Sequence, residues 1–231
     1  MIATVLLLSG ARAAAAQSGS GTITGMFWPE LDFYYRTGTH TRLYGIATIS
    51  IPPDSTLPGN GSFGINFDYF PKRRALFNHR PAIDALAFDR TQPLQFRTGY
   101  RYATDLGASQ PVIENRLLFE LTGRLTKGAF TAYDRNGFDF RWIDGEYSTR
   151  YRNRVWLEAV LTIKHYQPVP YADAEWFYSV QNGEWTKVRY ETGVHFPVGS
   201  LFALEPYAAW EDYWNGAPDQ RGLGLNLVLS W

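Results

Sequence analysis

The sequence predicts an all-β fold, a transmembrane, antiparallel, up-and-down β-barrel of twelve strands, with ten as the alternative. Three observations lead there. The last segment, Gly222-Leu223-Gly224-Leu225-Asn226-Leu227-Val228-Leu229-Ser230-Trp231, carries Leu or Trp at every odd position. A strand that is apolar on one face and ends on an aromatic is how bacterial outer-membrane barrels usually finish. Aromatic residues make up 16% of the chain, eight Trp with fifteen each of Tyr and Phe, enough for girdles at two membrane interfaces. Finally, no segment approaches the ~20 continuous apolar residues of a membrane helix, as expected where half of each strand faces a polar interior.

Along the chain, Ile2 to Leu8 is a short apolar run followed by Ala11-Arg12-Ala13-Ala14-Ala15-Ala16 and then polar Gln17 to Gly21. This is the pattern of a secretory signal cleaved after Ala16, which assigns 1–16 to the signal and 17–231 to the barrel. The first strand, near 26–36, sets Phe27, Leu31, Phe33 and Tyr35 against Glu30, Asp32 and Arg36. A second runs near 42–51. The third, near 62–70, sets Phe63, Ile65, Phe67 and Tyr69 against Asn66 and Asp68. Strands near 94–103, 113–125 and 130–142 follow, the last two joined at Lys127-Gly128. The seventh, near 149–163, opposes Val155, Leu157, Ala159, Leu161 and Ile163 to Arg150, Arg152, Arg154 and Glu158. An eighth, near 170–180, begins after Gln167-Pro168. The ninth, near 186–196, opposes Val188, Tyr190, Val194 and Phe196 to Lys187, Arg189, Glu191 and His195. The tenth, 201–212, follows Pro197 to Ser200, and the eleventh is 221–231.

Bacterial single-chain barrels have an even strand number, with both chain ends in the periplasm. The weak segment 82–90, Ala82 to Arg90, supplies a twelfth strand; ten result if one segment lies outside the barrel. The turns at 127–128, 167–168 and 197–200 are then periplasmic, and the connections at 143–148, 181–185 and 213–220 external. Two residues conflict with a regular closed barrel. Pro206 sits mid-strand without an N–H, and Asp134 falls on the lipid-facing parity. A β-bulge beside each would reconcile them.

The inward parity is crowded with charge of both signs. With Lys127-Gly128 as a two-residue hairpin loop, Thr126 faces Ala129. Glu120 then lies opposite Arg135, Arg116 opposite Asp139, and Glu114 opposite Arg141. Such cross-strand pairs contribute ~0.2–1 kcal/mol each. Arg152 or Arg154 can share Asp139, and Glu175 lies within reach of Lys187 or Arg189. A lattice that fills and stiffens a narrow lumen explains these residues better than a selectivity ring, because an interior of balanced sign is poorly suited to choosing one charge.

Other chemistry is thin. The chain has zero formal net charge, and removing the signal leaves 21 basic against 22 acidic residues, which gives no reason to expect a nucleic-acid partner. Cysteine is absent. His40, His79, His165 and His195 lack metal-ligand spacing, and His195, on the lumen side near Glu191 and Glu205, reads as a lattice member. Glu30/Asp32 and Asp173/Glu175 stand roughly 6.6 Å apart along their strands, inside the window of inverting glycosidases, but such pairs are ordinary on a polar face. There is no Ser in a nucleophile elbow and no Gly-rich phosphate loop. The expectation is therefore no catalytic residue, cofactor or metal.

Several stretches resemble a bacterial outer-membrane family known only as a domain of unknown function (2490). They are Trp28-Pro29-Glu30-Leu31-Asp32, Glu114-Asn115-Arg116, Asp134-Arg135-Asn136, Arg141-Trp142-Ile143-Asp144-Gly145, Tyr151-Arg152-Asn153-Arg154, Pro170-Tyr171-Ala172-Asp173-Ala174-Glu175 and Glu205-Pro206-Tyr207. The resemblance implies an antiparallel outer-membrane barrel and no activity. Together with the residue reading it leads us to expect a narrow, charge-filled barrel with a structural or envelope role, or restricted passage of small solutes. A porin-like channel is the alternative, and a lipid-modifying enzyme ranks last. The expected partners are outer-membrane lipid and, through the strand ending in Trp231, the barrel assembly machinery.

Overall fold

Eleven strands form among the described residues, which in this computed structural model are 22–53, 59–71, 90, 92–106, 108–164, 166–199 and 201–231. They are β1 Ile23–Arg36, β2 Thr41–Ser50, β3 Asn60–Tyr69, β4 Leu94–Asp105, β5 Ile113–Lys127, β6 Phe130–Ile143, β7 Glu146–Ala159, β8 Val169–Ser179, β9 Glu184–Val198, β10 Phe202–Tyr213 and β11 Gln220–Ser230. Each pairs antiparallel with the next in sequence, and a parallel β1–β11 pair closes the ring. The proposed signal, 1–16, lies outside the described residues.

Neither a twelve- nor a ten-stranded ring forms. β3 hydrogen-bonds directly to β4, from Asn60↔Asp105 to Tyr69↔Phe96, so the connection between them adds nothing to the wall. Most of the expected extra strand, 82–89, lies outside the described residues. The parity problem is solved at the seam instead. A closed ring of odd number must contain one parallel pair, here Phe27↔Leu223 to Tyr34↔Ser230. β1 therefore starts at the rim opposite the one where β11 ends, whereas an even-stranded wall begins and ends at one rim. The C-terminal rim carries the connections 37–40, 70–93, 128–129, 160–168 and 199–201. The far rim carries 51–59, 106–112, 144–145, 180–183 and 214–219.

The β5–β6 register also differs from the expected one. Lys127 pairs with Phe130 and Thr126 with Thr131, so the loop is Gly128-Ala129, not Lys127-Gly128. Gly128 has φ +61°, which a type II′ turn demands at its first loop position, and this moves the loop one residue along. Each strand residue thereby meets a partner two positions from the expected one. A two-residue slip preserves side-chain facing, because the strand period is two. At the other end of the hairpin, Asp144 (φ +49°) and Gly145 (φ +90°) make the tight β6–β7 turn, so β7 starts at Glu146 and not near 149. Asp-Gly between alternating segments is a strong hairpin signal.

The anticipated bulges at Asp134 and Pro206 do not form. β6 runs in unbroken register against both neighbours, and β10 keeps one register along β11. Asp134 stays on the outer face, where Asn153 Nδ2 (2.8 Å) and Asn136 Nδ2 (3.2 Å) donate to it. The register shifts lie elsewhere, between Thr24 and Met26 beside Gly25 (φ +85°), and between Phe177 and Tyr178.

Side-chain placement is inverted relative to a water-soluble domain. Phe63, Ile65 and Leu125 are 57%, 58% and 66% exposed, whereas Asp68 and Asp139 are 0% exposed. The outward row also includes Phe27, Leu31, Phe33, Tyr35, Val155, Leu157, Tyr190, Phe196, Leu223, Leu225 and Trp231. Charged groups occupy the centre.

Candidate functional site: the barrel lumen

The polar parity of every strand meets inside the ring. At an interstrand spacing of ~4.8 Å and a tilt of ~40°, eleven strands give a backbone radius of about 11 Å. Long side chains reach past the adjacent strand, and charges are matched between strands up to two apart.

The pairs expected between β5 and β6 exist, but as diagonals. Glu114 accepts Arg141 Nε at 2.7 Å, Arg135 approaches Glu120 at 3.7 Å, and Arg116 approaches Asp139 at 3.9 Å. Directly opposite Arg116 stands Arg141, and opposite Asp139 stands Leu118. Arg116 has its shortest contact with Glu114 on its own strand, at 2.7 Å. Asp139 is held by Arg150 at 2.6 Å and Arg152 at 3.1 Å. Arg152 is the hub of the lattice, since it also reaches Glu120 (2.5 Å) and Glu175 (2.9 Å). Arg154 does not share Asp139; it turns to Asp173 (2.6 Å) and Glu191 (3.5 Å). Lys187 and Arg189 bind Glu211 (2.9 Å) and Glu191 (2.7 Å), not the expected Glu175. The reason is geometric: side chains this long bypass the directly opposed position in a narrow lumen.

Toward the C-terminal rim a second group forms a floor. Asp68 accepts Arg42 Nη2 at 2.7 Å and Arg97 Nε at 2.6 Å. The Arg42 guanidinium lies 4.4 Å from the Tyr34 ring centroid, and that of Arg97 lies 4.3 Å from Tyr44. Arg90, from the β3–β4 connection, enters the barrel and meets Glu158 at 2.5 Å, with Tyr133 hydroxyl donating to the same carboxylate. Arg124 donates to Gln95, and His195 Nδ1 lies 3.2 Å from Glu205. Phe70, Gln92, Asp68 and Thr131 are fully buried. Sequence reasoning missed Arg42, Asp68, Arg97 and Arg150 as lattice members. Only the β5–β6 register was inferred from a turn, and the connections flanking β3 carry no two-residue signal from which its partners could be read.

Above this floor lies a cavity of about 550 Å³ that extends to the far rim, where Ser50, Asn60, Asp105 and Gln220 line it. Its walls differ in the balance of sign, basic groups outnumbering acidic ones on β4 to β7 and acidic groups outnumbering Lys187 and Arg189 on the β8–β1 side. β4 to β7 contribute Arg97, Arg101, Arg116, Arg150, Arg152 and Arg154, and the β8–β1 side contributes Glu30, Asp32, Glu175, Glu191, Glu205 and Glu211. β2 and β3 present short or neutral groups, including Ile46, Thr48 and Ser62. Glu30 and Asp32 both face the cavity, Asp32 bonded to Tyr44 hydroxyl (2.8 Å) and Asn226 Nδ2 (3.0 Å). Asp173 and Glu175 are each held by arginine. Among the described residues no group of His, Cys, Asp or Glu is arranged to hold a metal ion.

No family model and no curated protein matches this sequence.

Proposed function

We propose that this protein is an integral outer-membrane β-barrel of the family resembled by its sequence, with a charge-filled lumen stoppered at one rim. Its role is structural in the envelope or is limited to restricted small-solute passage. The supporting observation is the inverted distribution of side chains: an outer surface of Phe, Ile, Leu and Trp around a centre of paired arginines and carboxylates. In water that surface would be a large exposed apolar patch. In a bilayer it is the lipid contact, and ring closure satisfies the wall's backbone groups where no water can. The signal at 1–16 would direct export, and the strand ending in Trp231 would engage the assembly machinery.

Against a porin-like channel stand the buried floor residues, among them Asp68, Phe70 and Gln92. A lipid-modifying enzyme has the least support, since the outward face presents apolar and aromatic groups with an amide and carboxylate patch at Asp134, Asn136 and Asn153. Purified protein in detergent should give a β-rich circular dichroism spectrum and migrate faster on gels unheated than boiled. A detergent-free soluble monomer, or a helical spectrum, would end this reading.

A further inference from the structure

The cavity wall contains an arginine row that lacks one anion. Arg141, Arg116 and Arg101 stand directly opposite one another on β6, β5 and β4. Like charges in register repel. Glu114 answers two of them, at 2.7 Å from both Arg116 and Arg141. Arg101 has no hydrogen bond or ion pair among the described residues, and its Nε is buried without an acceptor. The same row continues through Gly64 on β3 and Ile46 on β2 to Asp32 on β1. One step along β1 on the same face is Glu30, which likewise makes no hydrogen bond or ion pair among the described residues. Glu30 and Arg101 both line the cavity, yet do not touch. The two strands between them present Gly64, Ile46, Thr48 and Ser62, too short to fill the gap.

An unanswered guanidinium and an unanswered carboxylate, held apart across a water-accessible recess by a neutral wall, are complementary to a molecule with both charges. From this arrangement we infer that the cavity binds a small zwitterion of the amino-carboxylic acid class. Its carboxylate lies on Arg101, where the planar guanidinium can donate two parallel hydrogen bonds. Its ammonium lies on Glu30. A simple anion would leave Glu30 bare, and a simple cation would leave Arg101 bare, so the doubly charged ligand is selected over either. This inference rests on the lumen being a solute-accessible compartment closed at one rim.

The test is calorimetric titration of the whole purified protein in octyl glucoside, a detergent without charge, with β-alanine, γ-aminobutyrate and ε-aminocaproate. Butyrate and butylamine serve as singly charged controls. One zwitterion of the series should bind at least about tenfold tighter than either control. Arg101→Gln and Glu30→Gln should each abolish that advantage. The double charge exchange, Arg101→Glu with Glu30→Arg, should restore it, because the ligand can bind reversed. Butyrate binding as tightly as the zwitterions, unchanged affinity in both single variants, or no binding by protein that keeps heat-modifiable migration would each overturn the inference while leaving the membrane-barrel reading intact. Loss of heat-modifiable migration in the unaltered protein would overturn both.

Discussion

Asp139 shows how the lattice distributes its strength. Its carboxylate is fully buried and is approached by Arg150 (2.6 Å), Arg152 (3.1 Å) and Arg116 (3.9 Å). Arg150→Ala leaves the carboxylate with two cations, so the loss should be modest, about 1.5–3 kcal/mol for its charged hydrogen bonds. Asp139→Asn instead leaves three neighbouring guanidiniums without their shared anion, the situation in which breaking a buried pair costs about 3–5 kcal/mol. Urea unfolding of the two variants in lipid vesicles should rank Asp139→Asn as clearly more damaging; equal or reversed losses would show that the lattice is not organised around this carboxylate. Inward facing was legible for Glu114, Arg116, Glu120, Arg135, Asp139 and Arg141 because strand alternation determines it. Partner choice was not legible. Alternation says which face a residue takes, whereas the partner of a long Arg depends on register and on strands far away in sequence, as Arg152 with Glu120 shows.

At the scale of elements, the seam between β1 and β11 decides the strand number. Leu31 and Leu227 are direct partners there, both on the outer face. The chain has no cysteine, so Leu31→Cys with Leu227→Cys should give a disulfide within the folded barrel, detected as a reducible shift in gel migration. An antiparallel seam would reverse the register along β1, and efficient cross-linking of a mismatched pair such as Phe27→Cys with Leu227→Cys would contradict the parallel one. The terminal Trp231 reinforces the seam. Its N–H donates to Tyr34 O (2.9 Å), its carbonyl accepts from Arg36 N–H (2.8 Å), and its ring lies 5.1 Å from that of Phe33. Next to the seam, Gly224 of β11 lies beneath the Tyr207 ring of β10, and a Cβ at this position would overlap the ring. Gly224→Ala should therefore destabilise the barrel by about 1–3 kcal/mol, as overpacking does. Tyr207→Ala should remove most of that cost in the double variant. Additive losses in the cycle would mean that ring and glycine do not meet. The glycine's place was not readable from the chain, because the aromatic that covers it belongs to the adjacent strand. The strands themselves were readable, from alternation at 27–35, 63–69 and 223–231. The strand number was not, since an even count was imposed on the 70–93 connection while the odd count is resolved by a parallel seam between residues some two hundred positions apart.

For the whole molecule, the side-chain inversion and the buried floor act together. A barrel of this circumference could hold a water-filled passage only if its interior side chains were short. Here paired arginines project into the lumen, Arg90 and Phe70 lie at the C-terminal rim, and the free volume of about 550 Å³ opens toward the other rim. The molecule should thus insert in a bilayer yet conduct poorly, unlike a barrel whose wide lumen forms an aqueous channel. Weakening the floor should change this. Asp68→Ala removes the anion shared by Arg42 and Arg97, and should introduce noisy, intermittent conductance. The most direct measurement is planar-bilayer current recording of the unaltered protein, with membrane insertion verified by heat-modifiable migration of the same preparation. A stoppered barrel predicts inserted protein and no stable open state. A large, steady, ohmic conductance would contradict it.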